Sequence, residues 1–127
     1  MKTGVITAVA VGGGLGSVAR YFVAQVQNPT WTGFPYGIFL VNVSGGFVMG
    51  VIAELLALRF NVSPEMRAFL TTGVMGGYTT FSTFSLESAL LIQRGAIGTA
   101  MSYVAGSAIL SIAALFAGLW VVRAFYG

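Results

Sequence analysis

Histidine, cysteine and aspartate are absent from the 127 residues, and the acids are limited to Glu54, Glu65 and Glu87. Zinc centres use Cys, His or clustered carboxylates, so these side chains offer no spacing for one. A Ser nucleophile needs an adjacent base, and His, the usual base, is missing. These absences argue against an enzyme. The lack of Cys says nothing about redox compartment. Charge is scarce too. Only 7% of residues are charged while 57% are hydrophobic, against about 25% charged in a soluble domain. So few charges cannot cover a water-facing surface. Lipid removes that difficulty, because apolar side chains can then face outward.

The net charge is +3, but Lys2, Arg20, Arg59, Arg67, Arg94 and Arg123 are scattered along the chain. Phosphate binding clusters its cations on one face, so nucleic acid is not an expected partner. Lys2 followed by Ala8-Val9-Ala10 has the outline of a signal peptide. A cut there would leave almost no apolar core before it, and apolar sequence continues beyond, so the segment reads as a retained first span.

A helix needs about 20 apolar residues to cross the hydrocarbon core. The first candidate runs from Val5 to Val26 and ends at Gln27-Asn28-Pro29-Thr30. Trp31, Phe34 and Tyr36 follow, where an interfacial aromatic belt is expected. The second runs from Tyr36 to Leu58 and closes at Arg59. Ser63 is placed to cap a new helix, with Pro64 at its first position and Glu65 facing the positive helix end. The third candidate runs from Met66 to Ile92 and the fourth from Ile97 to Val122. Short connections make consecutive helices antiparallel neighbours, in one four-helix transmembrane domain covering residues 1–127. Four crossings place Lys2, Arg59, Arg67 and Arg123 on one side, against Arg94 and Arg20 on the other. That is a weak positive-inside bias, which leaves insertion in both orientations open.

Glycine is abundant, at 18 residues. Gly12-Gly13-Gly14-Leu15-Gly16 and Gly45-Gly46-Phe47-Val48-Met49-Gly50 carry the small-xxx-small spacing that brings helices together in lipid. Polar residues inside spans are costly unless partnered, so they mark sites. Asn42, in the second span, is either a helix–helix clamp or a donor lining a polar path. In the third, Gly76-Gly77-Tyr78-Thr79-Thr80-Phe81-Ser82-Thr83-Phe84-Ser85 is a poor helix former. A break at membrane depth is tolerated only where backbone is buried in protein or lines a cavity, and it frees carbonyls for a cation. Phe81 and Phe84 share a helix face; such a pair is usually packing, but electropositive ring edges can meet an anion, and the surrounding Ser/Thr run keeps that reading open. Tyr103, Ser107 and Ser111 fall at successive i+4 positions of the fourth span. They form either a polar track or hydroxyls bonded back to their own helix.

At Asn42-Val43-Ser44-Gly45-Gly46 and at Gly76 through Ser85 the sequence closely resembles the Fluc/CrcB family of bacterial fluoride channels. The resemblance covers essentially the whole chain, including Arg20 in the first span and Glu87 after the broken segment. It implies an all-α membrane protein of four transmembrane helices, the third broken mid-membrane. The expected assembly is an antiparallel, dual-topology homodimer in the cell (inner) membrane, with two pores that passively export fluoride. The pore would be lined by Asn42, Phe81 and Phe84, and the hydroxyl track by Ser82, Thr83, Tyr103, Ser107 and Ser111, with Arg20 at a vestibule. A structural sodium ion (Na+) would sit at the dimer centre on backbone carbonyls of Gly76 and Thr79 from both subunits. Some relatives carry Thr four residues before the Asn, where this chain has Ile38; Glu87 has no assigned role. The main rival, a small multidrug-type proton-coupled transporter, needs a carboxylate in the first span, which holds only the cationic Arg20.

Overall fold

The structure is a computed structural model and describes residues 3–25, 33–58 and 61–126. Those residues are helical apart from connections and contain no strand. Helix α1 spans Thr3–Val23 and α2 spans Tyr36–Leu58. A third helical segment follows in pieces: α3 (Pro64–Ala68), a π-helical stretch (Phe69–Met75), α4 (Gly76–Tyr78) and, after Thr79 and Thr80, α5 (Phe81–Gln93). The long α6 spans Ile97–Tyr126.

Three of these helices, α1, α2 and α6, are long and apolar enough to cross a membrane. The third segment is as long as expected, but no single helix runs through it. The predicted first span began at Val5; α1 starts at Thr3 and its helical turns end at Val23. The expected end at Val26, the turn Gln27-Asn28-Pro29-Thr30, Trp31, and the flanking Lys2 and Arg59 lie outside the described residues. Helix α6 continues one turn beyond the expected Val122.

Local chemistry explains the boundaries of the third segment. Ser63 is extended and its hydroxyl accepts the Met66 amide at 3.1 Å, with Pro64 next in the chain, so α3 starts where the sequence places it. Thr80 repeats the device, its hydroxyl accepting the Thr83 amide at 3.3 Å to start α5. Between the two, Thr79 and Thr80 are extended, at φ −89°, ψ 149° and φ −144°, ψ 126°. Gly76 and Gly77 weaken the helix just before that point.

Glycines set the packing. The closest approaches join alternate segments, not consecutive ones. A Cβ on Gly12 would fall 2.6 Å from the Phe69 carbonyl oxygen, and one on Gly16 would overlap the Val74 carbonyl. On the other seam, Gly46 lies against the Ser111 carbonyl, Gly50 against that of Leu115, and Gly118 against that of Phe47. Residue numbers rise together across both seams, so α1 runs parallel to the third segment and α2 parallel to α6. Consecutive segments run antiparallel, as Glu87 facing Tyr103 shows for α5 and α6. With no hydrophobic force between helices in lipid, such backbone proximity supplies the van der Waals attraction that holds them. Toward one end, Ile38, Leu91, Ala100 and Tyr103 form a small buried core.

Candidate functional site

The α2–α6 seam opens into a groove of about 430 Å³ on the side of α5. Asn42, Gly45 and Gly46 line it from α2, Ser107 and Ser111 from α6, and Thr79, Thr80, Phe81 and Phe84 from the interrupted segment. Gly45 lets that segment come close: a Cβ there would lie 2.5 Å from Thr79 Cγ2. The Ser44 and Tyr78 hydroxyls, 2.8 Å apart, tie α2 to α4 beside it.

The groove's two threonine hydroxyls are bonded within their own segment, but its two serine hydroxyls are not. Among the described residues, the Ser107 and Ser111 hydroxyl oxygens are buried and make no hydrogen bond. Bonding back to their own helix is therefore not what these two serines do. Buried polar groups are rarely left unpaired, because each forfeits its hydration. An unpaired hydroxyl facing a groove calls for water or an ion. Asn42 likewise lines the groove and forms no side-chain hydrogen bond among the described residues. The Phe81 and Phe84 ring centroids are 5.7 Å apart with planes tilted 49°. Phe81 is 79% exposed, so its ring faces outward from this chain. Among the described residues, no acidic or basic side chain lines the groove.

The remaining expected site residues fall beside the groove, not in it. Tyr103 is fully buried; its hydroxyl donates to Glu87 Oε1 at 2.9 Å and its ring stands 5.1 Å from that of Phe84. It buttresses Phe84 instead of extending the serine track. Ser82 is exposed, its hydroxyl 3.2 Å from that of Thr80. Thr83 lines a second cavity, of about 390 Å³, together with Arg20, Ile38 and Glu87. The Arg20 Nε–H donates to the Gly77 carbonyl at 3.1 Å, so this cation also holds the turn before the interruption. Ile38 contributes only apolar surface there, and it belongs to the buried core.

Gly76 and Thr79 occupy that same turn. The Thr79 amide and hydroxyl both donate to the Met75 carbonyl, at 3.0 and 2.9 Å. Beyond Thr79 the extended backbone cannot continue the ladder, so α4 carbonyls lose their usual amide partners. Gly76 is exposed on this chain. The donors available here are neutral oxygens; the described residues contain no group of three His, Cys, Asp or Glu.

Sequence reasoning missed the ion pair between Arg123 and Glu54, whose Nε–Oε2 and Nη2–Oε1 distances are 3.1 and 3.2 Å. Its signal was an acid at one end of a span and a base at the end of another, with no pattern to join them. The Tyr103–Glu87 bond was equally invisible.

A small helical chain with three helices long and apolar enough to cross a membrane, and with glycine-tight seams, defines a membrane protein; its largely apolar groove carries two buried, unpaired serine hydroxyls. Comparison with known sequences makes this specific. Residues 7–119 match the family described as CrcB-like protein, Camphor Resistance (CrcB). A Rhodospirillum centenum protein named fluoride-specific ion channel FluC is 55% identical over 120 residues, covering 93% of this chain and 94% of that protein. A Caulobacter vibrioides protein of the same name is 57% identical over 120 residues, covering 91% and 92%. One from Rhodopseudomonas palustris is 53% identical over 117 residues, covering 91% and 94%. The chain belongs to the CrcB-like family.

Proposed function

We propose that this chain is a fluoride-selective channel, not an enzyme, that lets fluoride leave the cytoplasm passively. The observation that carries the reading is the charge-free groove with two buried, unpartnered serine hydroxyls facing Asn42 and the Phe81–Phe84 pair. Fluoride is small and strongly hydrated, so a pore must replace its water with donors. Hydroxyls, a carboxamide and ring edges supply donors without the fixed full charge that would trap the ion, and conduction requires binding weak enough for exit. The relatives' name points to the same ion.

The functional unit in this reading is an antiparallel, dual-topology homodimer in the inner membrane. Each chain crosses the bilayer four times, with the interruption at Thr79 and Thr80 at membrane depth. Exposure of Phe81 and Gly76 supports it, because a ring meant to line a pore needs a second wall. Two groove surfaces in a dimer give two pores. Ser82, Thr83 and Tyr103 flank the track, and Arg20 raises the anion concentration at a vestibule.

A structural sodium ion fits the turn before the interruption. Hard cations take neutral and anionic oxygens, and the Gly76 and Thr79 carbonyls are of that kind. One chain offers too few for a full shell, so the ion would join both subunits at the two-fold axis and fix the two interrupted segments to each other.

The test is fluoride efflux from liposomes containing the purified protein, run beside chloride. Rapid fluoride release with chloride retained supports the reading. Equal release of both, or of neither, removes it.

A further inference from the structure

Two opposite charges share one cavity. Arg20 of α1 and Glu87 of α5 both line the space of about 390 Å³ walled by α1, α2 and α5, and Ser17 and Thr83 line it with them. Among the described residues these are the only charges on its wall. Yet the two side chains do not bond each other. The Arg20 Nε–H donates to the Gly77 carbonyl at 3.1 Å, and Glu87 Oε1 accepts the Tyr103 hydroxyl at 2.9 Å. Among the described residues, neither side chain has another hydrogen bond or ion pair.

The anchors keep the charges apart. The Gly77 carbonyl fixes one edge of the guanidinium, and Tyr103 is fully buried, so its hydroxyl cannot follow the carboxylate. What remains is specific. A guanidinium has five N–H donors and a carboxylate two oxygens, so Arg20 keeps its Nη groups and Glu87 keeps Oε2. Both residues are half-buried. Charges at membrane depth are costly unless they pair or line a filled cavity. Water can occupy this space, but it leaves each charge without a counter-charge. The volume falls within the range of small-molecule sites, about 300–1,000 Å³. An anion alone would satisfy Arg20 and be repelled by Glu87, and a cation alone would meet the reverse. The wall carries no net charge, so the complementary ligand is neutral overall and carries both signs.

We propose that this cavity binds a small zwitterion of the amino-acid type, its carboxylate on the Arg20 Nη groups and its ammonium on Glu87. The paired Nη–H groups of an arginine match the two oxygens of a carboxylate. An ammonium has three donors, so the Ser17 and Thr83 hydroxyls are available as further acceptors beside Glu87. Ala24 and Ile38 supply apolar wall for the carbons between the two charges. All of these groups belong to one chain, and the site does not depend on the channel reading.

The test is calorimetric titration of the purified protein in detergent with glycine, β-alanine and γ-aminobutyrate, beside acetate and methylammonium as single-charge probes. At least one of the three zwitterions is expected to bind more tightly than either ion. Glu87→Gln keeps the shape and an oxygen for Tyr103 but removes the negative charge. In that variant zwitterion binding should weaken by about tenfold or more, and acetate, no longer repelled, should bind more tightly than it does to the wild type. If no zwitterion binds the wild type more tightly than acetate and methylammonium do, the inference is overturned, whether or not the variant assembles. Zwitterion binding that keeps its wild-type affinity in Glu87→Gln also overturns it, because the ligand then sits elsewhere.

Discussion

Removing the two groove hydroxyls should separate stability from transport. Ser107 and Ser111 carry buried oxygens without a partner. Leaving a buried hydroxyl unpaired costs about 1–3 kcal/mol. Replacing either serine with alanine removes that cost and leaves a space of roughly one atom, which offsets less than about 1 kcal/mol. Each single variant should therefore melt at or above the wild-type temperature in detergent. Transport should move the other way. A hydroxyl bonded to an anion is worth about 1.5–3 kcal/mol, so each deletion should slow fluoride efflux at least about tenfold. Liposome efflux and thermal melting of the same preparations provide both readouts. A variant that conducts normally but melts lower would refute the reasoning, because it would mean the hydroxyls are structural.

Four further substitutions test other parts of the groove and the seam beside it. Asn42→Asp places an anion where an anion must pass, and should abolish fluoride efflux while gel filtration shows an unchanged assembly. Phe81→Ile and Phe84→Ile keep bulk but lose the ring edge; a near volume-conserving swap costs below about 1.5 kcal/mol of stability, whereas efflux should fall at least about tenfold. Gly50→Val drives a side chain into the Leu115 carbonyl; melting should show a loss of about 1–3 kcal/mol, the range typical of overpacking.

Features that rest on local chemistry were legible in the sequence. Ser63 and Pro64 announce α3 because capping needs only residues adjacent in the chain. The glycine spacings predict tight seams, and Gly12, Gly16, Gly46 and Gly50 all sit on another segment's backbone. The composition of Gly76 through Ser85 flags a weak helix, and the extended Thr79 and Thr80 lie within it. The family resemblance, not local chemistry, grouped eight residues as pore and hydroxyl track; Asn42, Phe81, Phe84, Ser107 and Ser111 line one groove, whereas Ser82, Thr83 and Tyr103 do not. What was missed depends on long-range pairing. Periodicity places Tyr103 on the serine stripe, but burial turns its hydroxyl to Glu87. Arg20 lines the second cavity, but its bond to the Gly77 carbonyl is invisible until Gly77 is folded beside it. Glu54 and Arg123 are 69 residues apart, and only the parallel α2–α6 seam brings them together. The π-helical stretch Phe69–Met75 has an ordinary helical sequence, and nothing in it signals the wider turn.

The central claim is that uncharged donors carry fluoride through the protein by itself, uncoupled to any other ion. The direct measurement is the zero-current potential of a planar bilayer holding the purified protein, with a fluoride gradient and equal chloride and pH on both sides. A passive fluoride channel predicts a potential equal to the fluoride equilibrium value, unmoved when chloride or pH is then changed on one side. A potential that follows the chloride or proton gradient instead would contradict the account.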